Sequence, residues 1–297
     1  VFESTLNPET RRQGGMHYTS VENIHKVIDP LFLNDLKDEL NEIKQYKQPA
    51  TLKKKAKAFQ EKLAHLTFFD PACGSGNFLT ETYLQLRKLE NESIKLIYPN
   101  PSLDVGQAKD IVKVSIQQFY GIEINDFAVS VAKTALWIAE SQMLEETKDI
   151  FYADWDFLPL KTYTHIHEGN ALTMDWNDVI PNYACHYIMG NPPFIGSDMM
   201  TKEQKNNLKL FFKKVGRLDY VVCWYAKTAR YAKDTSIKCA FVSTNSITQG
   251  VQVPDFWTQM LANNIKIMFA YRSFVWDSEA SEKAHVHCVI IGFTFGN

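Results

Sequence analysis

Tyr187-Ile188-Met189-Gly190-Asn191-Pro192-Pro193-Phe194 is the most chemically specific run in the chain. An aromatic exocyclic amine is a weak nucleophile because its lone pair is delocalised into the ring. Two acceptors placed on its two hydrogens draw the nitrogen toward tetrahedral geometry and localise that pair. The Asn191 side-chain oxygen and the Pro192 backbone carbonyl are suited to this. Pro193 stiffens the turn so that both acceptors are preset. Phe194 offers a face on which a planar base stacks. The same residues would also make an ordinary proline turn before a helix. The apolar strand ahead of them and the aromatic behind them favour the catalytic reading.

Three further runs have the chemistry of a small-molecule site. Phe68-Phe69-Asp70-Pro71-Ala72-Cys73-Gly74-Ser75-Gly76-Asn77-Phe78-Leu79 reads as a strand, a glycine turn and a helix start. Glycines there admit a ligand close to the backbone, and Asp70 places a carboxylate where it could hold an ammonium group. A dinucleotide site would want a third glycine where Leu79 stands, which argues against NAD or FAD. Tyr120-Gly121-Ile122-Glu123-Ile124 puts an acid at the end of the next strand, placed to accept two ribose hydroxyls; a surface glutamate is the alternative. Glu168-Gly169-Asn170-Ala171-Leu172 offers a side-chain amide for an adenine edge, with Leu172 against the ring.

These runs need elements to hold them, and the apolar pattern supplies them. Residues 21–65 have helical periodicity through Val21, Ile24, Val27, Ile28, Leu33, Leu36, Leu40 and Ile43. From residue 66 strands and helices alternate. Strands are predicted at Leu66–Asp70, Phe119–Ile124, His165–Glu168, His186–Met189, Lys238–Ser243, Ile265–Tyr271 and 285–295. Helices are predicted at Asn77–Leu89, Phe127–Leu144, and near 201–214, 219–233 and 254–263. Residues 91–112, with two prolines and mixed polarity, read as an insertion. Such alternation implies a doubly wound, mostly parallel seven-stranded α/β sheet with an N-terminal helical appendage. The division expected is residues 1–65, then a catalytic domain over 66–297. Ligands in such sheets bind at the carboxyl ends of the strands, and every run above lies there.

The 297 residues are 45% hydrophobic, enough for one sizeable core, and 32 basic residues against 34 acidic ones leave a net charge of -2. A nucleic acid would therefore be gripped by local patches, or by a segment outside this stretch, rather than by the whole surface. Residues 201–217 are such a patch, with Lys202, Lys205, Lys209, Lys213, Lys214 and Arg217 against Glu203. They suit either DNA phosphates or a solvated helix face. The Lys53–Lys57 run reads as a solvated face. Five scattered cysteines without C-x-x-C spacing suggest a reducing cytoplasm, and no run is long and apolar enough to span a membrane. His165-x-His167 and His285-x-His287 lack a third ligand nearby, so no metal is expected. A first residue other than Met and an abrupt final strand suggest a fragment.

Together the motifs resemble class I, Rossmann-like methyltransferases of the amino-methylating DNA type, in the γ order. More closely, they resemble the MmeI-like family of fused restriction–modification enzymes. Arg11–Ser20 resembles the first cofactor-contacting segment of the amino-methylating enzymes, with His17 and Ser20 at positions where Tyr and Pro are commoner, and Val242–Gly250 is similar to a stretch typical of the MmeI-like group. The resemblance, over about residues 11–296, implies adenine N6 methylation in double-stranded DNA with S-adenosylmethionine and base flipping. Carried over residue by residue, Tyr18, Thr19, Asp70, Ala72, Gly74, Gly76, Glu123, Asn170 and Ala171 would line the cofactor pocket. Asn191, Pro192, Pro193 and Phe194 would be catalytic. Trp276 would stack on the other face of the base, with a core aromatic as the alternative. A C-terminal target-recognition domain and an upstream nuclease would lie outside this stretch. Two other readings stay open: an enzyme acting on RNA guanine or protein glutamine, and a non-catalytic module that senses the cofactor.

Overall fold

The computed structural model describes residues 19–100, 111–151, 163, 165–213, 215–276 and 286–295. The chain opens with α1 (Val21–Ile28), a wide π-turn at Asp29–Leu33, α2 (Asn34–Lys44) and α3 (Pro49–His65). The continuous helical periodicity of this stretch hides the break. Pro30 has no N–H to give, and the Asn34 N–H closes back on the Asp29 carbonyl instead. Then follow β1 (Phe68–Asp70), α4 (Asn77–Ile97), β2 (Phe119–Glu123), α5 (Asp126–Phe151), β3 (Ile166–Glu168) and β4 (Tyr187–Gly190). The last elements are α6 (Lys202–Lys209), α7 (Val222–Tyr231), β5 (Lys238–Thr244), α8 (Val253–Ala262), β6 (Ile265–Trp276) and β7 (Val286–Phe295).

The strands form one seven-stranded sheet in the order β3-β2-β1-β4-β5-β7-β6. Pairings from β3 through to β5 are parallel, and β7 runs antiparallel to both β5 and β6. The chain leaves β1 toward β2 and β3, then returns to place β4 on its other side. That reversal between β1 and β4 opens a crevice at their carboxyl ends.

Side chains alternate across the sheet, so neighbouring residues enter different cores. Phe68, Met189, Ala240, Val242 and Ile290 pack with α1 to α5. Phe69, Ile188, Cys239, Phe241 and Ile291 pack with α7 and α8. The apolar stripes of residues 21–65 thus pack into the same core as one face of the sheet. Phe68 stacks on Phe119 at 5.2 Å and is fully buried, a contribution of about 2 kcal/mol or more from burial alone.

One expectation fails clearly. The stretch read as an insertion from residue 91 continues α4 for two more turns, to Ile97. Its buried face carries polar residues, which masks the periodicity, but their bonds are made. Ser93 donates to the Ala56 carbonyl at 2.8 Å, and Thr147 donates to the Asn91 side chain at 2.8 Å. Helix α5 likewise runs on to Phe151, and the helices near 201 and 219 are shorter than their patterns suggest. Among the described residues no helix is long and apolar enough to cross a membrane.

Candidate active site

The glycine turn after β1 is held from three sides. Cys73 N–H donates to the Ile122 carbonyl on β2 at 3.1 Å, and Gly76 N–H closes on the Cys73 carbonyl at 2.8 Å. The Trp224 indole on α7 donates to the Pro71 carbonyl at 3.1 Å. Gly74 and Gly76 take φ of +52° and +82°, where a side chain is strained. They differ in surroundings. A Cβ on Gly76 would press on Ala132 at 3.0 Å, so this glycine packs the turn against α5. A Cβ on Gly74 would meet nothing within 4 Å, so this one borders open space.

Two carboxylates flank that space. Asp70, 1% exposed at the end of β1, accepts the Ala72 N–H at 3.0 Å. Glu123, at the end of β2, accepts Gly74 N–H at 2.9 Å and Asn125 N–H at 3.0 Å. Burial above all pushes Asp70 up to about 8; the Ala72 N–H opposes this and the Glu123 charge adds to it. Glu123 is also raised, again chiefly by burial, with the three backbone N–H groups of Asn125, Gly74 and Ile124 pulling the other way. Among the described residues no cation acts on either carboxylate.

The raised Asp70 carries a pH signature. A carboxyl whose folded-state value lies above its unfolded one adds stability that is complete below about 4 and lost as pH rises through about 8. Each pH unit between those limits removes up to about 1.4 kcal/mol. Asp70→Asn takes the titration away. Scanning calorimetry from acid to alkaline pH is expected to show the parent losing melting temperature relative to this variant. A constant difference across that range contradicts the assignment.

Beyond β3, Gly169 N–H donates to the Glu123 carbonyl at 2.8 Å, drawing this turn to the second carboxylate. The Asn170 side-chain oxygen accepts its own Leu172 N–H at 3.0 Å, and among the described residues its amide NH2 has no partner. That NH2 is the group left to donate to a ligand. Ala171 and Leu172 are buried, and Trp176 Nε1 donates to the Ala171 carbonyl at 2.8 Å.

The Asn191 turn meets the glycine turn directly. A Cβ on Gly190 would lie 2.4 Å from Asp70 Oδ1, so the last residue of β4 must be glycine for the carboxylate to sit there. The Asn191 amide donates to the Thr19 hydroxyl at 3.4 Å, while its Oδ1 is buried without a hydrogen-bond partner among the described residues. Such an oxygen costs about 1–3 kcal/mol unless something donates to it. Pro192 is buried, Pro193 is exposed, and the half-buried Phe194 packs against both cores.

Sequence reasoning missed Asp219. Its Oδ1 accepts the Ile195 N–H at 3.2 Å and the Val221 N–H at 3.1 Å, and its Oδ2 accepts the Thr244 hydroxyl at 3.3 Å. Its own N–H donates to the Gln252 side chain at 3.0 Å. This carboxylate, raised mainly by burial, ties the residue after Phe194 to α7 and to the end of β5. The one signal available was an aspartate just before a helical pattern, the position of a cap, but 219 reads as the first helical residue instead.

The structure therefore gathers Asp70, Ala72, Gly74, Gly76, Glu123, Asn170 and Ala171 around one crevice, with Thr19, Asn191, Pro192, Pro193 and Phe194 at its β4 side. Tyr18 lies outside the described residues. Trp276 pairs with Val286 at the end of β6, and its side chain is likewise outside them. His165 stacks on Tyr120 at 4.5 Å with Nδ1 2.8 Å from the Gln117 carbonyl oxygen, a structural use of that imidazole. Among the described residues no three His, Cys, Asp or Glu side chains gather to hold a metal.

Comparison with known proteins fits this geometry. Residues 44–297 match the family model for the MmeI DNA-methyltransferase domain. DNA methyltransferase A of Bacillus subtilis (strain 168) is 42% identical over 300 residues, covering 99% of this chain and 33% of that protein. The structure of the type IIL restriction–modification enzyme MmeI in complex with DNA is 44% identical. Its TM-score is 0.90, over 100% of this chain and 39% of that one. A DrdV–DNA complex shares the fold at a TM-score of 0.56 and 15% identity, over 99% of this chain and 28% of that one. The chain thus spans about a third of the length of the curated relative that it matches along nearly its whole extent. With the family model covering most of its residues and the glycine and Asn191 turns meeting at the sheet's reversal, the chain belongs to the MmeI DNA-methyltransferase domain family.

Proposed function

We propose that this chain is the catalytic part of a restriction–modification enzyme that methylates the N6 amine of a flipped adenine in double-stranded DNA, with S-adenosylmethionine as donor. The observation that carries the proposal is the Asn191 Oδ1, buried without a partner among the described residues and one residue after the Gly190 that packs on the Asp70 carboxylate. A buried acceptor left open at the reversal of the sheet suits a ligand that brings an N–H. The exocyclic amine of a base brings two.

The residues present fit S-adenosylmethionine. A buried and a half-buried carboxylate, with no cation acting on them among the described residues, suit a ligand that carries an ammonium group and ribose hydroxyls. Asp70 would hold the ammonium. Each Glu123 oxygen already accepts one backbone N–H but keeps a second lone-pair site for a hydroxyl. The Asn170 NH2 would donate to an adenine nitrogen, while Ala72, Gly74, Gly76 and Ala171 shape the walls. Thr19, and Tyr18 next to it, would close the pocket from the N-terminal side. When bound, the donor supplies a methyl group on a sulfonium whose positive charge is lost on transfer.

The chain's own part is orientation. Asn191 Oδ1 and the Pro192 carbonyl accept the two amine hydrogens, and the Thr19 hydroxyl fixes which way the Asn191 amide points. The amine needs no base before attack, because its proton is lost only after the nitrogen has become cationic. Pro193 keeps the turn rigid, and Phe194 stacks on the base, with Trp276 proposed for the opposite face. The flip costs a few kcal/mol of unstacking, offset by these contacts.

Asp219 would act as a positioning residue. It fixes Ile195 and so sets where Phe194 stands. Asp219→Asn is expected to lower kcat about ten- to a hundredfold while cofactor affinity, read by calorimetry, stays unchanged. Loss of both in parallel would mark a purely structural role.

The names of the relatives favour DNA over RNA or protein as acceptor. The missing length relative to them is where a target-recognition domain and a nuclease would sit. Five buried thiols without a disulfide suit a reducing cytoplasm. Labelled donor offered to the full polypeptide with competing duplex DNA, structured RNA and protein tests the acceptor class. Label is expected in the DNA. Label in RNA guanine or glutamine would reject the proposal, and cofactor binding without transfer to any acceptor would favour a sensing module.

A further inference from the structure

Helix α6 turns its charges one way. Lys202, Lys205 and Lys209 recur at helical spacing, so they share one stripe, and all three are exposed. Glu203 lies off that stripe. Lys213 and Arg217, also exposed, extend the charge beyond the helix. Among the described residues none of the five pairs with an acid. Elsewhere several exposed lysines do pair: Lys62 with Glu39, Lys95 with Glu92, Lys113 with Glu61. An unneutralised cationic stripe in a chain of net charge -2 is a local concentration of field.

The stripe is also held firmly and close to the Asn191 turn. Thr201 and Gln204 form a capping box at the start of α6. Leu208, Phe211 and Phe212 on the other side are buried in the core shared with α7 and α8. Asn207 on α6 donates to the Tyr220 hydroxyl at 3.0 Å, and Tyr220 N–H donates to the Ile195 carbonyl at 2.9 Å. One tyrosine side chain thus separates α6 from the residue that follows Phe194. Flexible surface lysines need no such anchorage.

We infer that the Lys202–Lys205–Lys209 stripe grips the phosphate backbone of the DNA duplex next to the flipped base, so that α6 sets the distance between the backbone and the Asn191 turn. The inference rests on the adenine-methylation reading for its ligand. The chemistry is complementary: a row of ammonium groups at about one helical turn or less between neighbours faces a row of phosphates, and binding releases the counterions condensed on the DNA. Base sequence is not read by such contacts, since phosphates are alike at every step.

The test uses the full polypeptide and a duplex that it methylates. The Lys202→Gln/Lys205→Gln/Lys209→Gln variant is compared with wild type and with Lys54→Gln/Lys57→Gln, which removes exposed charge on α3. Duplex Kd is measured from about 50 to about 200 mM salt. The slope of log Kd against log salt is expected to fall by about one per lost phosphate contact in the α6 variant. KM for DNA should rise while cofactor affinity is kept, and the α3 variant should match wild type. A wild-type slope in the α6 variant, with methyl transfer intact, overturns the inference and leaves adenine methylation standing. Equal loss in both variants overturns it as well, because the effect would then be general charge. Tighter binding of structured RNA than of duplex by the wild-type polypeptide, without DNA methylation, overturns the inference together with the functional reading.

Discussion

Asn191→Ala is expected to lower kcat for methyl transfer at least a hundredfold to a thousandfold while S-adenosylmethionine still binds. The magnitude follows from what removing one preorganised partner of a reacting group costs, about 3–4 kcal/mol. The separation of the two effects follows from the geometry. Among the described residues the Asn191 side chain makes one hydrogen bond, the 3.4 Å bond to Thr19, and its oxygen has no hydrogen-bond partner. Removing the side chain leaves the Asp70, Glu123 and Gly74 bonds of the glycine turn in place. The fold should not suffer, because a buried acceptor without a partner is itself a cost. Single-turnover rates with calorimetry of donor binding read both quantities. Wild-type rates in this variant would remove Asn191 from the reaction. Matching losses of rate and donor affinity would make it a pocket wall.

Glu90→Ala is expected to destabilise the chain by about 3–5 kcal/mol, the cost of stranding a buried charge. Glu90 and Arg87 are both fully buried and form an ion pair one turn apart on α4. Glu90 Oε1 also accepts the Gln60 amide of α3 at 2.8 Å, Lys113 N–H at 2.6 Å and Val114 N–H at 3.1 Å. Arg87 reaches the other way, donating to the Thr147 hydroxyl at 2.7 Å and the Met143 carbonyl at 3.2 Å on α5. This pair joins three helices to the segment that leads into β2. Its loss would leave a guanidinium without its counter-charge in the core. Urea unfolding followed by circular dichroism measures the change. A loss below about 1 kcal/mol, the range of a solvated pair, would mean that water enters and satisfies Arg87.

That network also explains where the sequence was opaque. Strands β1, β2 and β4 were legible because apolar runs end in Asp70, Glu123 and Asn191, and a parallel sheet must place those ends together. The α4 extension was not, because Asn91 and Ser93 look like solvent-facing residues until their partners on α5 and α3 are known. The same limit hid Asp219, whose four bonds reach residues 24 to 33 positions away as well as its neighbours. Local spacing reveals a turn that carries its own chemistry. It does not reveal a side chain whose role is to join distant segments. Gly190 lies between these cases: its proximity to Asp70 follows from the β1–β4 pairing, but the 2.4 Å that excludes a Cβ appears only in three dimensions. Thr19 was read as a cofactor contact by resemblance, and its bond to Asn191 gives it a second proposed task.

The most direct measurement is mass spectrometry of nucleosides from duplex DNA incubated with S-adenosylmethionine and the full polypeptide, wild type beside Asn191→Ala. N6-methyladenine accumulating with wild type and not with the variant is the predicted result. Methyl groups on cytosine carbon or nitrogen, or equal N6-methyladenine from both proteins, would contradict it.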